Sequence, residues 1–203
     1  MKQEQPYNPL DKENLGLSVA EALLSRPVEP LPPGDIFLGA GIYVIYYWGD
    51  FPAYAPLAER NREAGSPELP IYVGRATPKG GRKGSRLKGG MTGPVLYKRL
   101  MKHADSIREA KSLDLQDFSC RYLVVDEIWI PLAESLLIEQ FLPPWNLIVE
   151  GFGNHDPGSG RYNQQRSPWD VLHPGRKWVE RCQVSKKTPE QILVSLERHF
   201  AGS

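Results

Sequence analysis

The sequence predicts a small α+β domain, a three-stranded antiparallel sheet flanked by helices, with arms at both ends and inserted loops. Three observations predict it. Gly41-Ile42-Tyr43-Val44-Ile45-Tyr46-Tyr47-Trp48 and the shorter Ile71-Tyr72-Val73 are dense in aromatic and β-branched residues, which marks strands. Apolar residues recur at helical spacing after Pro94, Pro131 and Pro189, each a residue favoured in a first helical turn. The core order is then strand, strand, helix, strand, helix, separated by turn-rich segments.

Taken in order, residues 14–26 read as an amphipathic helix with Leu17, Ala20 and Leu24 on one face and Glu21 off it. Pro27 ends it, and 27–33 is a stiff connector. In the strand 41–48, alternation places Tyr43, Ile45 and Tyr47 on one face and Ile42, Val44 and Tyr46 on the other. Residues 49–70 form a long polar insertion with a short helix at 56–64. The strand 71–73 runs into a glycine-rich basic loop, then a helix over 94–110. A third strand, 119–125, is expected to continue to Ile130 after a break at Asp126-Glu127. A helix from Pro131 is stopped by Pro143-Pro144. From Gly151 the chain is irregular and polar, and a last helix over 189–200 offers Ile192, Leu193, Leu196 and Phe200 for packing. One domain over 1–203 is expected, with a core at about 36–149, an N-terminal arm 1–35 and a C-terminal extension 150–203.

Composition narrows the function classes. Apolar residues make up 40%, enough for a core, and no apolar run approaches a membrane span. The polar residues 1–14 lack the apolar stretch of a signal peptide. Cys120 and Cys182 lack metal or redox spacing, so a reduced cytoplasmic location is expected. The scattered His103, His155, His173 and His199 argue against a zinc site. Lys+Arg and Asp+Glu nearly balance at 25 and 24, yet nine of the basic residues fall within 71–103, where there is no Asp or Glu. A chain of balanced charge that concentrates its cations this way presents a surface for a polyanion.

A few residues could carry chemistry. Arg99 and His103 are four apart on a helix and share a face. Glu134 falls beside Leu137, Ile138 and Phe141 on an apolar helical face, where a carboxylate is costly unless a cation or donors meet it. Either a metal ion or an arginine would neutralise it, and one carboxylate with several waters is how magnesium is commonly held. Tyr43 and Tyr72 sit on strands expected to be neighbours.

These pieces resemble the GIY-YIG nuclease superfamily. Gly41-Ile42-Tyr43 and Tyr72-Val73-Gly74 look like the two halves of its signature, Arg99 stands where the family has its helical arginine, and Glu134 and Asn146 match its glutamate and terminal asparagine. The likeness covers about 36–149 and is closest to the type II restriction endonucleases that cut CCGCGG, where Arg-x-x-x-His occupies the helix as Arg99 and His103 do here. Residues 113–121, 151–155 and 169–176 are also similar to that branch. One departure is Arg75, where many members have lysine. Arginine stays protonated, which excludes a lysine-type proton relay there and shifts proton handling to Tyr43 and His103.

The resemblance implies hydrolysis of double-stranded DNA with a divalent metal held by Glu134, magnesium by preference and manganese as a substitute. Catalytic roles are implied for Tyr43, Tyr72, Arg99, His103, Glu134 and Asn146. DNA contacts are expected from Arg75, Lys79, Arg82, Lys83, Arg86, Lys88, Asn154, His155, Arg161, Asn163, Gln164 and Arg166. A palindromic site implies a homodimer on DNA. A cognate DNA methyltransferase is expected as a functional companion without binding to this chain. Two other readings are a repair or mobile-element nuclease of the same superfamily and a non-catalytic DNA-binding module.

Overall fold

β2 (Gly41–Tyr47) is the axis of the molecule, with all seven residues buried. The computed structural model describes residues 8, 10–78, 93–156, 158 and 162–202. A strand buried on both faces must be apolar throughout, and its alternation then sorts side chains into two cores. Tyr43, Ile45 and Tyr47 enter one core, while Ile42, Val44 and Tyr46 enter the other. Each side chain so buried is worth roughly 1.5–3 kcal/mol against exposure.

β3 (Tyr72–Ala76) and β4 (Phe118–Val124) pair with β2 on either side, both antiparallel, with Tyr43 opposite Gly74 and Tyr122. The sheet has four strands instead of three, in the order β1-β4-β2-β3. The extra strand is β1 (Glu29–Pro30), two residues of the proline-rich connector laid along β4. Pro30 has no N–H to offer, which confines it to a sheet edge. Two residues give no periodicity, so the sequence concealed this strand.

The Ile42 face is covered by α1 (Lys12–Leu24) and α4 (Ile130–Phe141). Gly16, Ala20 and Leu23 form the buried stripe of α1, and Leu17 is exposed, a one-residue rotation from the expected face. Residues 12–24 of the expected arm thus pack on the core. β4 also stops short of the expected Ile130. Asp126 Oδ1 accepts from Ile128 N at 3.1 Å, and this side-chain turn redirects the chain into α4. Leu142 ends α4 in the left-handed conformation (φ 46°), after which Pro143-Pro144 cannot continue the helix.

The Tyr43 face is covered by α3 (Val95–Glu109), α5 (Pro144–Leu147), α6 (Pro168–Leu172) and α7 (Pro189–Ala201). α6 was not expected; Ser167 caps it by accepting from Asp170 N. The polar insertion folds too. Its helix α2 (Ala55–Glu63) buries Leu57, Ala58 and Asn61, and Asn61 Oδ1 accepts from the N–H groups of Glu68 and Leu69. Cys120 and Cys182 are free and buried. Among the described residues no helix is long and apolar enough to cross a membrane.

Candidate active site

The site forms where the Tyr43 face of the sheet meets α3 at the β3 edge. α3 packs on the Tyr43 face of the sheet with Leu96, Leu100, Ala104 and Ile107 buried. On that stripe Arg99 and His103, one turn apart, are brought over the two sheet tyrosines. Tyr43 and Tyr72 project from the same face of adjacent strands with ring centroids 6.2 Å apart. Gly74 lies directly beneath: a Cβ there would stand 2.4 Å from the Tyr43 hydroxyl. The signature glycine of β3 is therefore the space into which the tyrosine fits.

Tyr43 Oη is 2.5 Å from His103 Nε2, and Arg99 Nε lies 3.3 Å from the same oxygen. A guanidinium can only donate. Tyr43 Oη therefore accepts from Arg99, and in the tautomer with His103 Nε2 unprotonated it gives its single proton to that nitrogen. Both groups are held neutral. Burial first, then the neighbouring Tyr72, pushes Tyr43 well above its ordinary value, opposed by the Arg99 charge and hydrogen bond. Burial and the positive charge of Arg99 hold His103 well below its ordinary value. His103 is 1% exposed and stacked on Phe152, centroids 4.4 Å apart. Burial opposes the charge of Arg99, but its contacts with Tyr43 and Tyr72 outweigh this and raise it above its ordinary value.

Glu134 approaches from α4, beyond β3. Its Oε2 is 3.1 Å from Arg75 Nε, and its side chain is 20% exposed. Burial raises the carboxyl, with Arg75 and then Arg99 pulling it back. The carboxylate is close enough to oppose ionisation of both tyrosines. It is thus ion-paired to an arginine, one of the two neutralising partners the sequence allowed. Among the described residues no group of three or more His, Cys, Asp or Glu could cage a metal. A single half-shielded carboxylate with water as the other ligands still fits a magnesium-type ion, which does not need an all-protein cage.

Asn146 stands apart from this cluster. Its Oδ1 accepts from Val73 N and its Nδ2 donates to Val73 O, both at 2.8 Å. It does for the free edge of β3 what another strand would do.

The expected DNA contacts divide. Lys79, Arg82, Lys83, Arg86, Lys88 and Arg161 lie outside the described residues. Arg75 is engaged with Glu134. His155 is in the cluster itself, its Nε2 against Arg99 Nη1, while Arg99 Nη2 donates to Gly153 O at 3.2 Å. Asn154, Asn163 and Gln164 are exposed, and the half-buried Arg166 donates to Glu180 O at 3.4 Å. Residue-level reasoning missed Phe152, the floor under His103, and Arg176, which binds the turn carrying it. A lone aromatic between Gly151 and Gly153 in a polar stretch was the available signal.

An antiparallel sheet with paired tyrosines on its adjacent strands β2 and β3, an arginine on the following helix and a glutamate on the next defines a GIY-YIG nuclease, a DNA-cutting and therefore DNA-binding enzyme. The family model for the Eco29kI GIY-YIG domain matches residues 35–200, and the chain belongs to that family of GIY-YIG restriction endonucleases. No curated protein matches the chain.

Proposed function

We propose that the chain is a type II restriction endonuclease that hydrolyses double-stranded DNA at the palindrome CCGCGG with a divalent metal held by Glu134. The observation that carries the chemistry is the Arg99–Tyr43–His103 array beside a partly buried carboxylate. A phenol is a poor base near neutral pH unless its own proton has an acceptor. Tyr43 has one in His103 Nε2, so Tyr43 takes a proton from the attacking water as its own proton passes to the imidazole. Arg99 stabilises the oxygen of Tyr43 during the transfer and binds a non-bridging phosphate oxygen as negative charge develops. Tyr72 orients the water or the phosphate. Asn146 acts at one remove, by fixing the β3 backbone that carries Tyr72. A magnesium or manganese ion at Glu134 supplies Lewis-acid stabilisation of the phosphate and the leaving 3′ oxygen.

The recognition sequence rests on Arg99-x-x-x-His103 and on the family match over 35–200. A palindrome read by one chain implies a two-fold pair of chains on the duplex, and a methyltransferase of the same specificity protecting host DNA. At a site made only of G·C pairs the bidentate readers are arginine and lysine on guanine O6 and N7. Base reading therefore falls first to Arg166 among the described residues of the 154–166 segment, with the exposed Asn154, Asn163 and Gln164 offering single hydrogen bonds to base edges.

The test is incubation with phage DNA in magnesium, manganese or chelator, followed by sequencing of the ends. Discrete metal-dependent fragments ending within CCGCGG are expected. A metal-dependent smear would indicate structure-directed cutting, and intact DNA in every condition would indicate a binding module.

A further inference from the structure

Arg99 is held from above by the turn over residues 151–155, and that turn has an anchor outside the catalytic cluster. Arg176 is 2% exposed, its guanidinium 4.6 Å from the Trp169 ring and 5.0 Å from the Trp178 ring. A guanidinium has five N–H donors, and here four hydrogen bonds and an ion pair engage all three of its nitrogens. Nε donates to Asp170 Oδ1 at 2.7 Å, and Nη2 reaches the same oxygen at 2.6 Å and Gly151 O at 3.1 Å. Nη1 donates to Phe152 O at 3.2 Å and Asn154 O at 3.0 Å. Three carbonyls of one turn thus converge on a single buried cation. Asp170 is fixed in turn by Ser167 Oγ, which donates to its Oδ2 at 2.6 Å.

The other side of the turn faces the site. Gly153 O accepts from Arg99 Nη2, His155 meets Arg99 Nη1, and the Phe152 ring supports His103. We propose that Arg176, clamped by Asp170, is a positioning residue that sets the Arg99 guanidinium through the 151–155 turn. Burying a charge is costly, and a buried pair is often no more stabilising than apolar packing. Its use here is directional: a planar fork of donors fixes three carbonyl positions, which an apolar side chain cannot do. Lysine at 176 keeps the charge but loses the fork, so the turn loosens while the ion pair survives.

The inference rests on the nuclease reading for its kinetic arm, and a second arm is independent of activity. Arg176→Lys and Gly153→Ala are compared with the wild type. A Cβ at 153 would stand 2.9 Å from Arg99 Nη2 and 3.0 Å from Tyr72 Oη, so it displaces Arg99 with Arg176 intact. For folded variants, single-turnover cleavage should fall roughly 10- to 100-fold, the scale of small misplacements, with DNA affinity unchanged. Combined with Arg99→Ala, Arg176→Lys should add little further loss, because it acts through the group already removed. The second arm is the NMR signal of the Arg99 Nε–H, assigned by its absence in Arg99→Lys. It should shift or broaden in both variants. Fully multiplicative losses, or an unmoved Arg99 signal, overturn the proposal. If the wild type cuts no duplex while the Arg99 signal still follows residue 176, the activity reading fails and the positioning role stands. If Arg176→Lys does not fold, Gly153→Ala decides alone: an unmoved Arg99 signal in it overturns the proposal.

Discussion

Among the described residues two tyrosine–histidine pairs lie buried, and their surroundings separate chemistry from scaffolding. Tyr54 Oη is 2.6 Å from His173 Nε2 and accepts from Trp145 Nε1, with no cation beside it. Tyr43 has the same geometry with His103, but its third partner is the Arg99 cation, and Glu134 is near. A cation lowers the cost of a transient phenolate, and a Trp N–H does so far less. Tyr43→Phe keeps the ring and removes the oxygen. It should cost about 1–3 kcal/mol of stability, because His103 Nε2 loses its donor in the core. It should also slow cleavage by roughly 10²- to 10⁴-fold. Denaturant melts and single-turnover rates measure the two, and a rate within a few-fold of wild type would remove Tyr43 from the proton path. Glu134→Gln should leave DNA affinity near wild type in a filter-binding or anisotropy assay and abolish metal-dependent cleavage. A neutral amide is a far weaker anchor for a divalent cation than a carboxylate, and the side chains proposed to read DNA are not on α4. Cleavage at near the wild-type rate would sink the metal assignment.

At the scale of elements, β3 is the edge of its sheet on the side away from β2, and its backbone there needs partners. Asn146 provides both for Val73, which is fully buried. Asn146→Ala strands one N–H and one C=O, an expected loss of roughly 1–3 kcal/mol with a parallel fall in cleavage as Tyr72 loses its register. Thermal melts check the first, and an unchanged melting temperature would show that β3 needs no such clamp. Asn146 is picked out by the family resemblance alone, and its partner is not, because nothing local in a sequence says which strand edge a distant amide will meet. The same boundary runs through the whole fold. The alternation of β2 was legible, since Tyr43, Ile45 and Tyr47 really do part from Ile42, Val44 and Tyr46. So were α3, α4 and α7, whose apolar spacing is long. What failed was short or set by tertiary contact: the two residues of β1, the five of α6, and the α1 face, where Gly16 carries no apolar side chain yet is buried and Leu17 is exposed. In the site, the Arg99–His103 spacing was readable, while the stacking of His103 on Phe152 and the anchoring of the 151–155 turn by Arg176 depend on residues far off in sequence.

For the whole molecule, charge sets two expectations, one for DNA and one for acid. Arg82, Lys83 and Arg86 belong to the basic run, and their joint replacement by alanine should weaken CCGCGG and scrambled duplexes about equally. The slope of log K against log salt should fall by roughly 0.9 for each lost phosphate contact. Loss confined to CCGCGG with an unchanged slope would mean that one of them reads a base. The acid expectation comes from His103 and His173, both kept neutral by burial, His173 lowered to about 3 and His103 well below its ordinary value. In the unfolded chain each titrates near its ordinary value of about 6.5. Between that pH and the lower folded values the unfolded state binds more protons, so stability is full above about 6.5 and falls as the pH drops, each histidine contributing up to about 1.4 kcal/mol per unit. Glu134, raised by burial, works weakly the other way. His173 Nε2 lies 2.6 Å from Tyr54 Oη and its Nδ1 2.8 Å from Ser112 Oγ, so in the neutral ring both nitrogens are already engaged and a second ring proton has to disrupt one of these contacts. His173→Gln can keep a hydrogen bond to Tyr54 but cannot take up that proton. Its stability should therefore be lower than wild type at pH 7.5 and decline less steeply toward pH 5.5. Denaturant unfolding at several pH values gives both curves, and parallel declines would show that His173 is not the group through which acid unfolds the protein.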